Sequence, residues 1–72
     1  MWVESQDGRC FVNAIAFQIN YYRNNYIIEA ITNEGLYPVG KYKTQKRALE
    51  VLDESQDSIA RRKKLDYQMP KK

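Results

Sequence analysis

Histidine is absent from this chain, and cysteine occurs only once, at Cys10. Without histidine there is no Ser–His or Cys–His nucleophile, and no side chain that ordinarily titrates near neutral pH. One thiol cannot close a disulfide within the chain or supply the four ligands of a structural zinc site. The glycines Gly8, Gly35 and Gly40 are isolated, so there is no Gly-rich phosphate loop. We therefore predict a binding protein rather than an enzyme, with no metal and no cofactor.

Long apolar runs are missing as well. No apolar stretch approaches the roughly 20 residues that a membrane-spanning helix requires. The N-terminal residues lack the basic start and the apolar core of a signal peptide. A single reduced cysteine is typical of a cytoplasmic protein. These features predict a cytoplasmic location and no membrane partner.

The length of the chain limits the size of its core. Its 72 residues form one predicted domain, 1–72, and a domain this small has marginal stability. Because neither a disulfide nor a metal can reinforce it, we expect a homo-oligomer. We expect a neighbouring subunit to complete either the N-terminal strand or a strand at residues 65–69.

Period-two alternation of apolar and polar residues predicts strands over the first 42 residues. Asp7-Gly8 is a strong turn signal and predicts a hairpin between the first two strands. Pro38 cannot donate to a sheet ladder, so its strand is expected at an edge or with a bulge. The predicted strands cover residues 1–3, 10–12, 15–22, 26–32 and 36–42.

The pattern becomes helical after Tyr42. Thr44 is a suitable N-cap, and residues 45 to about 63 contain neither glycine nor proline. Apolar residues alternate again in the tail, which predicts a short strand at a sheet edge. The predicted fold is α+β, an antiparallel meander of four to five strands with one amphipathic helix packed across it and a short C-terminal strand. The helical stripe expected to face the sheet is Ala48, Leu49, Leu52 and Ile59.

Positive charge is concentrated in the second half of the chain. Residues 1–40 contain two arginines and four acidic residues, whereas residues 41–72 contain ten basic and five acidic residues. No lysine precedes Lys41. This asymmetry favours an anionic partner for the C-terminal half, although a solvated basic helix face would have the same composition.

The start of the predicted helix carries cations where acidic residues are usual. A helix N-terminus is already partly positive, yet Lys43, Lys46 and Arg47 surround Thr44. An anion bound at the free N–H groups would make this arrangement favourable, with Tyr42 as a base-stacking or hydrogen-bonding neighbour. The alternative is that the cations extend into water and pair with Glu50 or Glu54.

A second basic cluster lies at the end of the predicted helix. Arg61, Arg62, Lys63 and Lys64 form a run of the kind found in nucleic-acid patches. A basic last turn also complements the helix dipole without any functional role. The run therefore leaves a nucleic-acid partner open.

Three stretches taken together resemble a known family. They are residues 1–8 (MWVESQDG), residues 40–54 (GKYKTQKRALEVLDE) and residues 67–70 (YQMP). In this order they resemble short proteins of unassigned activity from phages and prophages of Gram-positive bacteria. The resemblance implies a small accessory protein acting in the cytoplasm of the host cell, in conflict with bacterial immunity.

Three hypotheses about function follow from these features. The first is an oligomeric protein that sequesters a phosphorylated small molecule, such as a nucleotide signal of host defence. The second is a protein–protein inhibitor of a host defence complex, similar in action to an anti-CRISPR protein. The third is a nucleic-acid-binding accessory protein. We expect the first, because it uses both the cationic helix start and the predicted oligomer.

Overall fold

A computed structural model describes residues 1–61 and 66–72 of the chain. These residues form two three-stranded sheets and one helix. In chain order the elements are β1 (Trp2–Glu4), β2 (Phe11–Asn13), β3 (Ala16–Tyr22), β4 (Asn25–Thr32), β5 (Gly35–Tyr42), α1 (Gln45–Arg61) and β6 (Asp66–Gln68).

The first sheet has the strand order β2-β1-β6. Strands β1 and β2 form the predicted antiparallel hairpin, and Gly8 turns it with a φ of 75°, which a residue without a Cβ adopts easily. Strand β6 pairs in parallel with β1 of the same chain, with Val3 opposite Tyr67. Strand β1 therefore has a neighbour from its own chain on each side, so the expectation that another subunit completes the N-terminal strand is wrong. Strand β6 lies at the edge of this sheet, and the homo-oligomer stays a prediction.

The second sheet is an antiparallel meander with the order β3-β4-β5. Arg23 and Asn24 form the tight turn between β3 and β4, and both have positive φ angles, 51° and 64°. Strand β5, which contains Pro38, lies at the edge of the sheet. The register also shifts between Ile28 and Glu29, opposite Pro38. The edge and the bulge predicted for this proline are both present, since its nitrogen has no hydrogen to donate.

Helix α1 begins as predicted. The backbone N–H of Arg47 donates to Thr44 Oγ1 (3.2 Å), and that of Ala48 donates to the Thr44 carbonyl oxygen (3.1 Å). Thr44 is therefore the N-cap, because its hydroxyl oxygen accepts a hydrogen bond from one of the N–H groups of the first turn that have no partner within the helix.

The buried face of α1 differs from the predicted stripe. Leu49 is 44% exposed, whereas Ser55 and Ser58 are buried. The hydroxyl of Ser55 donates to the carbonyl oxygens of Val51 (2.8 Å) and Leu52 (3.0 Å), so its burial leaves no polar atom unsatisfied. The prediction of Leu49 was wrong, whereas Ala48 is buried and Leu52 and Ile59 pack against the core at partly buried positions. The fully buried or nearly buried positions of the helix are Ala48, Val51, Ser55 and Ser58.

One hydrophobic cluster joins the two sheets and the helix. Val3 and Tyr67 enter it from the first sheet, Phe17 and Ile28 from the second, and Val51 from α1. The α+β class, the packed helix and the C-terminal strand are confirmed. The five N-terminal strands are divided between two sheets, since β1 and β2 pair with each other, β6 pairs with β1, and β3, β4 and β5 form the meander.

Within residues 1–61 and 66–72, no helix has the length and apolar character needed to cross a bilayer.

Candidate anion-binding pocket

The C-terminal tail folds back onto the start of α1. The N–H of Met69 donates to the Glu4 carbonyl oxygen (3.0 Å), which extends the β1–β6 pairing. The hydroxyl of Tyr42 then donates to the Pro70 carbonyl oxygen (2.6 Å). Further along, Arg47 Nε donates to the carbonyl oxygen of Lys72 (2.7 Å). Backbone pairing and two side chains thus bring residues 69–72 beside the helix N-terminus.

Gln6 links this tail to strand β5. Its Nε2 donates to the carbonyl oxygens of Pro70 (3.2 Å) and Lys71 (2.9 Å). Its Oε1 accepts from the Lys41 N–H (2.9 Å), and its own N–H donates to the Val39 carbonyl oxygen (2.6 Å). The side chain of Gln6 therefore uses both its donor and its acceptor to hold the edge strand and the tail in one arrangement.

A pocket of about 320 Å³ opens where the tail meets the helix start. We call it the cationic pocket, because four of its six lining residues are lysine or arginine. In the part of the chain that the structure describes, no aspartate or glutamate lines it. The lining residues are Tyr42, Lys43, Thr44, Arg47, Lys71 and Lys72.

The helix adds to the positive potential of this pocket. The first turn of α1 contains no acidic residue, so the partial charge of its N–H groups is not neutralised from within the helix. Lys43 and Thr44 line the pocket and are exposed to solvent, so neither is part of the buried core. The pocket therefore combines a helix N-terminus with side-chain cations from two separate segments.

Arg47 is the cation that the structure holds most firmly. Besides its bond to Lys72, it lies 3.5 Å from Glu50 Oε1, and its side chain is 37% exposed. The alternative prediction, pairing with Glu50, therefore applies to Arg47, although an exposed pair at this distance contributes little to stability. Glu54 has a different partner, since it accepts a hydrogen bond from the Tyr67 hydroxyl (2.8 Å).

Tyr42 lines the pocket as part of the protein core. Its side chain is 3% exposed, and its hydroxyl is committed to Pro70. Burial raises the pKa of Tyr42 to about 12, against the opposing effect of the nearby Arg47 charge, so the phenol stays protonated at neutral pH. The prediction of Tyr42 as a base-stacking neighbour is incompatible with this burial, because neither ring face is open.

The remaining predicted residues lie outside the pocket. Lys46 is exposed on α1 but is not part of the pocket lining. Arg61 Nε is 2.7 Å from Asp57 Oδ1, one helical turn earlier. The rest of the predicted nucleic-acid patch, Arg62, Lys63 and Lys64, lies outside the described residues.

No protein-family model, curated protein or solved structure matches the chain. The resemblance to phage proteins therefore stays a prediction. The function of the pocket has to be inferred from its own chemistry.

Sequence reasoning missed Lys71, Lys72 and Gln6. The two lysines are adjacent to Pro70 and belong to the basic half of the chain, which was the one available signal. Nothing in the sequence relates them to Arg47, about 25 positions earlier, because the pairing of β6 with β1 carries them there. Gln6 gave no signal, since a glutamine before a turn is common on protein surfaces.

Proposed function

We propose that this protein is a non-enzymatic binding protein that holds a phosphorylated small molecule in the cationic pocket. The observation that carries the proposal is the convergence of Lys43 and Arg47 with Lys71 and Lys72 around the helix N-terminus. Four side-chain cations gathered without an aspartate or glutamate in the described lining repel one another, and a bound anion would relieve that repulsion.

Phosphate is the anion that this arrangement suits best. Lysine provides mobile point charges, and the guanidinium of Arg47 retains N–H donors beyond the Nε used by Lys72. Charge-assisted hydrogen bonds to phosphate oxygens are shorter and stronger than neutral ones. The volume of about 320 Å³ is at the lower end for ligand pockets, so a nucleotide would place its phosphates inside and its base outside.

Sequestration is the biological form of binding that we propose. The resemblance to phage proteins favours an accessory role in which the protein removes a nucleotide signal of host defence from solution. Self-association remains part of this proposal, since the exposed cations of two subunits could enclose one ligand. Sedimentation at micromolar concentration measures that association independently of ligand.

The proposal is tested by calorimetric titration with ATP, with inorganic tripolyphosphate and with adenosine, at about 0.15 M salt, where exposed charges more than about 8 Å apart are largely screened. ATP and tripolyphosphate should bind, and adenosine should not. Lys71→Gln should weaken ATP binding about tenfold, the loss expected for one charge-assisted contact of about 1.5 kcal/mol. Lys46→Gln is the matched control, because it removes the same charge from an exposed residue of the first helical turn outside the pocket lining.

The outcomes separate a pocket from general positive charge. An equal loss of affinity in Lys71→Gln and Lys46→Gln would show that ATP responds to net charge alone. Binding of adenosine as tight as that of ATP would contradict a phosphate site. Either result would overturn the proposal.

A further inference from the structure

A groove of about 430 Å³ lies between the first sheet and the turn that joins β4 to β5. It differs in composition from the cationic pocket, because three of its nine described lining residues are aromatic and none of the nine is lysine or arginine. We call it the aromatic groove. It is lined by Trp2, Phe11, Val12, Asn13, Ile15, Thr32, Asn33, Glu34 and Tyr37.

Exposed aromatic rings form one wall of the aromatic groove. Trp2 and Phe11 stack with centroids 5.1 Å apart and planes inclined by 14°. They are diagonal neighbours across the β1–β2 hairpin, since Trp2 is opposite Asn13 and Glu4 is opposite Phe11. Trp2 remains 46% exposed, and Phe11 and Ile15 are each 56% exposed. Contiguous apolar surface left in water on a small protein is characteristic of an interaction site.

The charge of the aromatic groove indicates the kind of partner. Among the described residues, no lysine or arginine lines it, and Glu34 is its one charged side chain. In the same residues, no cation lies within ion-pair distance of the Glu34 carboxylate. The amino group of Met1 donates to Oδ1 of the lining residue Asn13 (3.0 Å) and to the Ala14 carbonyl oxygen (3.1 Å). The groove therefore offers π faces and an unpaired carboxylate to a cation.

We propose that the aromatic groove is a docking surface for a segment of a partner protein that presents an arginine. A guanidinium is planar, stacks on aromatic faces and pairs with carboxylates through its fork of donors. Its aliphatic stem can cover the exposed surface of Phe11 and Ile15. Lysine can contact a ring face and a carboxylate as well, but its ammonium is a point charge without the planar, stacking group of arginine.

A second copy of this chain fits the aromatic groove less well. In a closed twofold dimer the same surface occurs on both sides of the interface. Groove against groove would bring Glu34 of each copy into one apolar interface, where two like charges repel. Phosphate-bearing ligands are disfavoured by the same carboxylate. The charge of the groove thus selects a basic protein segment.

Trp2 is the only tryptophan of the chain, so its fluorescence reports on the aromatic groove directly. The probe is a blocked five-residue peptide with a central arginine flanked by alanines. The same peptide with citrulline, the neutral isostere of arginine, is its control. The arginine peptide should change the Trp2 emission saturably, and the citrulline peptide should bind several times more weakly.

Two variants test the role of the carboxylate. Glu34→Gln should weaken the arginine peptide about two- to fivefold, as expected for an exposed ion pair. Asp53→Asn, an equal charge change at an exposed helix position outside the groove, should leave its affinity unchanged. Lys71→Gln should also bind the arginine peptide normally, which separates this proposal from the anion pocket.

Three results would overturn the proposal. One is equal affinity for the arginine and citrulline peptides. Another is an unchanged affinity in Glu34→Gln. The third is a concentration-dependent shift of Trp2 emission without peptide, accompanied by dimers in sedimentation, which would assign the surface to a second copy of the chain.

Discussion

The cationic pocket and the aromatic groove differ in charge and in the part of the chain that builds them. The pocket takes its lining from residues 42–47 and 71–72, in the basic half of the chain. The groove takes its lining from residues 2–37, where acidic residues outnumber basic ones. One small fold therefore carries two surfaces of opposite charge, and we propose a different ligand for each.

The two regions also differ in how they are held. The pocket depends on a tail attached by hydrogen bonds from Gln6, Tyr42 and Arg47. The groove depends on neighbouring strands of one hairpin and on the β4–β5 turn. Because the contacts of the pocket span the whole chain, it should be the more easily lost of the two.

The largest expected effect is a loss of overall stability, because a substitution in the shared core weakens both regions together. Met69 is fully buried in the shared core, directly after β6. Met69→Ala should lower the free energy of unfolding by about 2–5 kcal/mol, because the cavity it leaves closes incompletely. Leu49→Ala, on the exposed side of α1, should change it by less than about 0.5 kcal/mol. Urea unfolding measures both, and equal effects would contradict the assigned core.

A smaller change should separate the two regions. Gln6→Ala removes the side chain that joins the tail to β5, and should lower the free energy of unfolding by about 1–2 kcal/mol. ATP binding should weaken, since Lys71 and Lys72 lose their fixed position, while the arginine peptide should bind as before. Gln68 is an exposed glutamine on β6, and Gln68→Ala is the control. It should leave the affinity for ATP and for the arginine peptide unchanged. Weaker binding of the arginine peptide in Gln6→Ala would show that the regions are not independent.

Alkaline pH should act on the pocket side of the core through Tyr42. Its folded pKa of about 12 is higher than the ordinary tyrosine value of 10.0, so the folded state favours the protonated phenol. That contribution to stability is complete below pH 10.0 and disappears as the pH rises to about 12. Burial and the hydrogen bond to Glu54 raise the pKa of Tyr67 as well.

Tyrosinate absorbance and circular dichroism recorded together test this prediction. The last part of the absorbance change should coincide with unfolding, because Tyr42 and Tyr67 ionise only as the core opens. Complete ionisation of all six tyrosines in a folded chain would contradict the burial of Tyr42 and Tyr67.

Local features of the fold could be predicted from the sequence. The Asp7-Gly8 turn, the N-cap at Thr44 and the edge position of Pro38 depend on the chemistry of one or two residues, and all three are present. The concentration of positive charge after Lys41 is likewise a property of the sequence alone. Such features need no knowledge of distant parts of the chain, because their energy comes from neighbours along the backbone.

Tertiary structure alone decided which distant residues meet. The parallel pairing of β6 with β1 adds the third strand to the first sheet. It also brings Lys71 and Lys72 to the helix start. The burial of Ser55 instead of Leu49 depends on how closely α1 approaches the sheet, which the apolar pattern of the helix does not encode. Strand pairing and helix rotation are chosen by the packing of the whole core, so the full cationic pocket emerges only when that core is assembled.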